Sequence, residues 1–245
     1  MTAMSLELDR VSLSYTATPV IDGLSLTVRP GEILILTGPS GCGKSTVLRA
    51  LAGLLPPAGG RVLADGDDVT TTSGDRGMVF QDDALLPWRT VRSNIELALR
   101  LRGEPRATRR TQAERWIDEL GLGGFGHYLP KSLSGGMRQR VQLARGLAGA
   151  PRAVMMDEPF GALDTQTRAA MQRLLIDTWR AHPTTVVFVT HDVDEALALG
   201  DRIAVLGRAG RPLRALLDVP EPRVDLPRPA LRAEIIAALD HSAAA

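Results

Sequence analysis

The sequence predicts an α/β fold with a mostly parallel central sheet, an antiparallel β layer at the N-terminus and an inserted helical subdomain. Three observations predict it. Four short runs, 33–37, 153–157, 186–190 and 203–206, are apolar almost throughout and separated by helical patterns, as parallel strands buried on both faces require. Residues 5–30 instead alternate, with Leu6, Leu8, Val11 and Leu13 answered by Leu24, Leu26 and Val28, the pattern of half-exposed antiparallel strands. Between Thr90 and Leu147 the spacing turns helical (Val91, Ile95, Leu99; Trp116, Ile117, Leu120; Val141, Ala144, Leu147) with no strand-like run.

Taken in chain order, the N-terminal pair of strands is expected to turn at Asp22-Gly23, and Ile33 to Thr37 is the first strand of the main sheet. Met78-Val79-Phe80 reads as a further strand ending at Gln81. The helical subdomain is expected over about 90–147, and about 208–245 forms a tail. Prolines at 212, 220, 222, 227 and 229 interrupt that tail before a short helical pattern at Leu231, Ile235, Ile236 and Leu239, so it is expected to pack on the surface. No internal repeat is visible, and the 245 residues are expected to form a single domain.

Composition narrows the class. With 44% apolar residues the chain can bury a full core, and 29 basic residues nearly cancel 28 acidic ones, so no global field draws it to nucleic acid. The longest apolar runs are strand-sized, far short of the roughly 18 residues of a membrane helix, so the chain is expected to span no membrane. Leu6-Glu7-Leu8-Asp9 stands where a secretory signal would be continuously apolar, and a single cysteine agrees with a reducing, cytoplasmic setting.

The chemistry begins at Gly38-Pro39-Ser40-Gly41-Cys42-Gly43-Lys44-Ser45-Thr46, which follows a predicted strand and opens a helix patterned by Leu48, Leu51 and Leu55. That is the context of a P-loop. Glycines let backbone N–H groups converge on phosphate oxygens, and the helix start adds its positive dipole end. Lys44 is expected to reach the β and γ phosphates of a nucleoside triphosphate, ATP or GTP on this motif alone. Ser45 is expected to help hold Mg²⁺. Cys42 is read as a small loop residue. A second acidic site is expected on a neighbouring strand, and the run from Ala153 ends in Asp157-Glu158. Asp157 suits a contact to Mg²⁺, directly or through its shell, and Glu158 the polarising of an attacking water. Leu133-Ser134-Gly135-Gly136-Met137-Arg138-Gln139-Arg140 precedes a helix and reads as a second anion-binding helix start.

These three stretches together resemble the ABC ATPase family: Gly38 to Ser45 and Ala153 to Glu158 match its Walker motifs, and Leu133 to Gln139 its signature. The resemblance spans roughly residues 5–207. It implies an ATPase in which two copies pair head to tail, so that Ser134, Gly135, Gly136, Gln139 and Asp164 of one chain close over ATP held by the P-loop of the other. It further implies an adenine-stacking ring at Tyr15, a glutamine at Gln81 that contacts Mg²⁺ and water, and a switch histidine at His191 near the γ phosphate. Gly161-Ala162-Leu163-Asp164 resembles the loop crossing the dimer interface, although the family more often has serine where Gly161 stands. His127, His182 and His241 lack any such setting and are read as structural.

Among family members, chromosome-type proteins insert a long coiled coil where this chain has 90 residues between Lys44 and Ser134 without a heptad run. Translation-type members carry two sets of motifs, and exporters commonly fuse a membrane domain. The expectation is therefore an importer subunit, with an exporter subunit or a non-transport ATPase as alternatives. Gln81 to Val91, Val193 to Ala196 and Asp225 to Pro229 look similar to the nitrate, sulfonate and taurine import group. The implied partners are a second copy, transmembrane permease subunits docking on Asp82 to Val91, and indirectly a solute-binding protein. The chain would then sit at the inner face of the membrane. The basic run Arg100 to Arg115 reads as a solvated helix face.

Overall fold

In the computed structural model, residues 2–16, 18–82, 84–207, 212–224 and 227–240 are described. Two sheets form. The first is antiparallel, with β1 (Leu6–Ser14) between β2 (Pro19–Val28) and β4 (Gly59–Ala64), and the two-residue β5 (Asp67–Asp68) at its edge. The second contains β3 (Ile33–Thr37), β6 (Arg76–Val79), β7 (Ala153–Asp157), β8 (Thr185–Val189), β9 (Arg202–Leu206) and β10 (Leu213–Asp218), in the order β10-β9-β3-β8-β7-β6. Its first five strands in chain order run parallel, and β10 pairs antiparallel with β9.

The turn expected at Asp22-Gly23 lies inside β2. The reversal falls between Ser14 and Pro19, and Asp22-Gly23 forms an irregularity in the ladder, with Gly23 at φ 67°. Ser12 stabilises it, donating its hydroxyl to Asp22 at 2.7 Å and accepting from the Gly23 amide at 3.2 Å. A glycine tolerates that left-handed conformation at no steric cost, which is why the same dipeptide signals a turn or a bulge.

Helices α1 (Lys44–Leu51), α2 (Val91–Leu101), α3 (Arg106–Glu119), α4 (Gly135–Ala148), α5 (Thr165–Ala181), α6 (Val193–Leu199) and α7 (Pro229–Asp240) complete the chain. The spacing-predicted residues of α2, α3 and α4 share one buried cluster, and α2 packs on both α3 and α4. Two features escaped the sequence pattern. β4 completes the antiparallel layer, and β10 turns part of the tail into an edge strand where surface packing alone was expected. Prolines at 212 and 220 bracket that strand, so the breakers mark its ends. His182 tilts against Trp116 with ring centroids 4.8 Å apart and His127 against Tyr128 at 4.7 Å, whereas His241, Asp225 and Leu226 lie outside the described residues.

Candidate active site

Parallel pairing gathers the predicted residues at one edge of the sheet. Leu36 pairs with Val189, Val79 with Met156 and Asp157 with Val189. Gly38 and His191 each follow their partnered residue by two positions, and so do Gln81 and Glu158. All four therefore leave the sheet together at its carboxyl end, where open α/β sheets bind ligands.

The loop from Gly38 to Gly43 bends between the two sheets into α1. A Cβ on Gly38 would lie 2.7 Å from the Leu206 carbonyl oxygen, and one on Gly43 2.8 Å from the Ile21 side chain, so both positions require glycine. Lys44 is buried, and its ammonium donates to the carbonyls of Gly38 (2.9 Å) and Pro39 (3.1 Å). The amine thus lies folded into the loop rather than extended to solvent. Burial pushes the Cys42 thiol up despite the nearby Lys44, and a protonated, buried thiol matches the reading of Cys42 as a small loop residue.

Ser45 donates its hydroxyl to Asp157 at 3.0 Å. Burial raises the Asp157 carboxyl; the Ser45 bond lowers it and Glu158 raises it further. A hydroxyl and a carboxylate oxygen held together are the hard donors Mg²⁺ takes, and a divalent cation there would offset the burial of charge, so the pair fits Mg²⁺. Among the described residues no group of three or more His, Cys, Asp and Glu could hold a metal by itself. The remaining ligands of an ion at Ser45 and Asp157 would have to come from elsewhere.

Glu158 stands in a left-handed backbone conformation, φ 41°, with its amide on the Val189 carbonyl and its carboxylate 3.2 Å from Nδ1 of His191. Such a conformation is costly for a residue with a Cβ, and strain of this kind clusters at sites where a side chain must be aimed. Tyr15 is 55% exposed, accepts a hydrogen bond from Arg49 at 2.9 Å and carries that guanidinium over its ring at 6.0 Å. Gln81 is exposed in the bend after β6.

The second set lies at the starts of α4 and α5. Ser134 caps α4, accepting from the Met137 amide, and Asp164 caps α5, accepting from the Thr167 amide (3.0 Å) and hydroxyl (2.6 Å). Ser134, Gly135 and Asp164 are exposed, with no hydrogen bond to the cradle of their own chain among the described residues, whereas Gln139 is buried. Three polar side chains around this edge carry no recognisable sequence pattern. Arg49 holds the Tyr15 hydroxyl, Asn94 ties the loop after Gln81, and Gln142 reaches the carbonyls on either side of Gln81. Only a contact pattern distinguishes them from ordinary helix residues.

A family model described as ABC transporter matches residues 21–161. The chain is 48% identical over 216 residues to an uncharacterized ABC transporter ATP-binding protein of Methanocaldococcus jannaschii, covering 88% of this chain and 79% of that protein. It is 45% identical over 203 residues to a taurine import ATP-binding protein of Pseudomonas putida, covering 82% and 78%. Among solved structures, a dimeric ATP-binding cassette in a post-hydrolysis state bound to ADP and Pi superposes with a TM-score of 0.77 at 31% identity, covering 87% of this chain and 98% of that one. The chain therefore belongs to the ABC transporter family as an ATPase.

Proposed function

We propose that the chain energises an importer of a small solute of the nitrate, sulfonate or taurine class, working as a pair of copies that close over ATP. One observation carries the hydrolytic part: Glu158, aimed by its strained backbone and 3.2 Å from His191, stands beside the Ser45–Asp157 pair. Two adjacent carboxylates in different surroundings suit different tasks. Asp157 and Ser45 would hold Mg²⁺, with Gln81 as a further contact; the ion supplies charge neutralisation on the transferred phosphoryl group. Glu158 accepts a proton-side hydrogen bond from the attacking water, and His191 fixes the carboxylate and approaches the γ phosphate. Lys44 exchanges the carbonyls of Gly38 and Pro39 for phosphate oxygens, and the amides of Gly41, Cys42, Gly43, Ser45 and Thr46 would take the remaining ones, that of Cys42 on leaving the Pro39 carbonyl it holds at 3.3 Å. Tyr15 offers its ring to adenine.

Ser134, Gly135, Gly136 and Asp164 are assigned to the ATP of the second copy, because that helix start is exposed in its own chain. Burial of Gln139 within α4 argues for support of that start from inside rather than contact with ATP. The similarity to a dimeric cassette supports the pairing. For the permease, an apolar groove of about 430 Å³ opens beside the Gln81 loop, lined by Phe80, Ala84, Leu97, Leu101 and Arg145, and Trp88 nearby is 73% exposed. Asp83 lies outside the described residues. An amphipathic helix of a membrane subunit fits such a groove. No helix among the described residues is long and apolar enough to cross a membrane, so attachment to the inner face would run through that subunit. The import direction and solute class rest on the similarity to the taurine import protein.

The test is Glu158→Gln. It should retain ATP binding, lose hydrolysis by at least about a hundredfold, and elute as an ATP-stabilised dimer on a sizing column. Hydrolysis at the unmutated rate with no such dimer would remove Glu158 from its assigned role. The import reading is checked by copurification with the permease and by solute binding to the associated binding protein; recovery of ribosomes in place of a membrane subunit would refute it.

A further inference from the structure

We propose that Gln142 is a positioning residue for Gln81, fixing the nucleotide-facing loop to the helix that carries Ser134 and Gly135. The proposal rests on the reading of Gln81 as a contact to Mg²⁺ and water. Gln142 lies in the middle of α4, 1% exposed, and its amide nitrogen donates to the carbonyls of Phe80 (2.8 Å) and Asp82 (2.9 Å). Those two carbonyls flank Gln81 on both sides. One turn further along α4, Arg145 donates to the Ala84 carbonyl at 2.9 Å. The loop is thus held at three alternate residues, 80, 82 and 84, by one face of a single helix.

Such a bridge has a specific mechanical consequence. The loop leaves β6, an edge strand of the main sheet, and is held by α4 at residues 80, 82 and 84 before Asn94 of α2 takes over at Leu86. The primary amide of Gln142 spends both N–H donors on the flanking carbonyls, so the Gln81 backbone cannot shift along or away from α4 without breaking a buried bond. The side chain of Gln81 is exposed and makes no hydrogen bond among the described residues, so it keeps its freedom. Meanwhile the Gln142 carbonyl oxygen is buried without a partner among the described residues. A buried acceptor left open costs free energy, and it offers a landing place for an N–H donor of the loop when the loop moves. Gln142 is therefore placed to let displacement of α4, as its Ser134 end engages a nucleotide, carry the Gln81 loop with it.

The experiment is a double-mutant cycle on the full chain, reading ATPase kcat, KM for ATP and the Mg²⁺ concentration for half-maximal rate. Gln81→Ala and Gln142→Ala are each expected to lower kcat about tenfold or more and to raise the Mg²⁺ requirement, with nucleotide affinity in the absence of Mg²⁺ unchanged. Because Gln142 acts through Gln81, the double variant should be no worse than Gln81→Ala alone. Gln142→Met keeps the size and loses the donors without burying a charge; it should reproduce the alanine effect, which separates the amide bonds from simple filling of space. If the two effects multiply, Gln142 contributes only to general integrity and the proposal is overturned. If Gln81→Ala leaves kcat and Mg²⁺ dependence untouched, the reading of Gln81 falls, and the proposal falls with it. Should Gln142→Ala fail to fold, the methionine variant carries the same cycle.

Discussion

At the scale of single residues, the buried pair Glu32–Arg202 shows where polar groups hold the sheet. Arg202 opens β9 and donates to Glu32 at 3.0 Å and to the Thr27 carbonyl, joining the end of β2 to the main sheet. Burial pushes the Glu32 carboxyl up against the pull of the Arg29 amide and Arg202. Arg202→Ala would strand that carboxyl, and removal of one partner of a buried pair typically costs about 3–5 kcal/mol, which a urea melt should register at unchanged m-value. Asp65 behaves oppositely. Burial acts to raise it, but the Ser5 amide and Arg152 outweigh burial and hold it below the usual carboxylate range. Its folded form thus binds protons less readily than the unfolded one, so its stabilising effect is present above the ordinary aspartate range and is lost as pH falls through and below it. Asp65→Asn should therefore flatten the acid limb of a stability–pH profile below about pH 4 while lowering stability at neutral pH.

Among elements, strands buried on both faces were legible because continuous apolar runs leave few other options, and the cradle was legible because each of its positions has a steric or electrostatic reason. The misses share a cause. β4 buries only Val62 and Ala64 and β10 buries no residue fully, so neither carries an apolar run, and Gly23 suits a turn and a bulge alike. At the start of α6 half of a capping box forms: Asp192 accepts from the amides of Asp194 and Glu195, but the Glu195 carboxylate takes Gln172 of α5 instead of reaching back. The loop over residues 86–90 is shaped by Asn94, fully buried in α2, which accepts from the Leu86 amide and donates to the carbonyls of Leu86, Arg89 and Thr90. Long-range satisfaction of loop carbonyls leaves no sequence signature. Asn94→Ala should release this loop, which carries the exposed Trp88. The expected result is reduced copurification with the permease, faster amide exchange over 86–90, and ATP hydrolysis by the isolated chain within about threefold of the parent.

Across the whole molecule, the main sheet separates two cores, and alternate residues of its strands serve each. Ile33, Ile35, Val154, Met156, Val186 and Phe188 face the helices α2 to α6, while Leu34, Leu36, Ala153, Met155, Val187 and Val189 face α1 and the antiparallel layer. The cradle lies where both sheets meet α1, since Gly38 abuts Leu206 of β9 and Gly43 abuts Ile21 of β2. A ligand bound there contacts a loop wedged between both layers, so it should stabilise them as one unit. ATP with Mg²⁺ at a hundred times its dissociation constant should raise the stability of Glu158→Gln by at least about 2.7 kcal/mol, the one-site value to which dimer closure adds, in a single cooperative transition, because the ligand binds only the folded state. Gly43→Ala, which drives a methyl into Ile21, should lower the melting temperature and weaken that nucleotide-dependent gain together. Lys44→Ala should remove the gain with a much smaller change in the unliganded melting temperature, since its ammonium is held by loop carbonyls rather than by packing between the layers. If Lys44→Ala instead kept the full gain, the nucleotide would be bound somewhere other than the cradle. If ATP produced two separated transitions, the two layers would be unfolding independently and the wedge would not couple them.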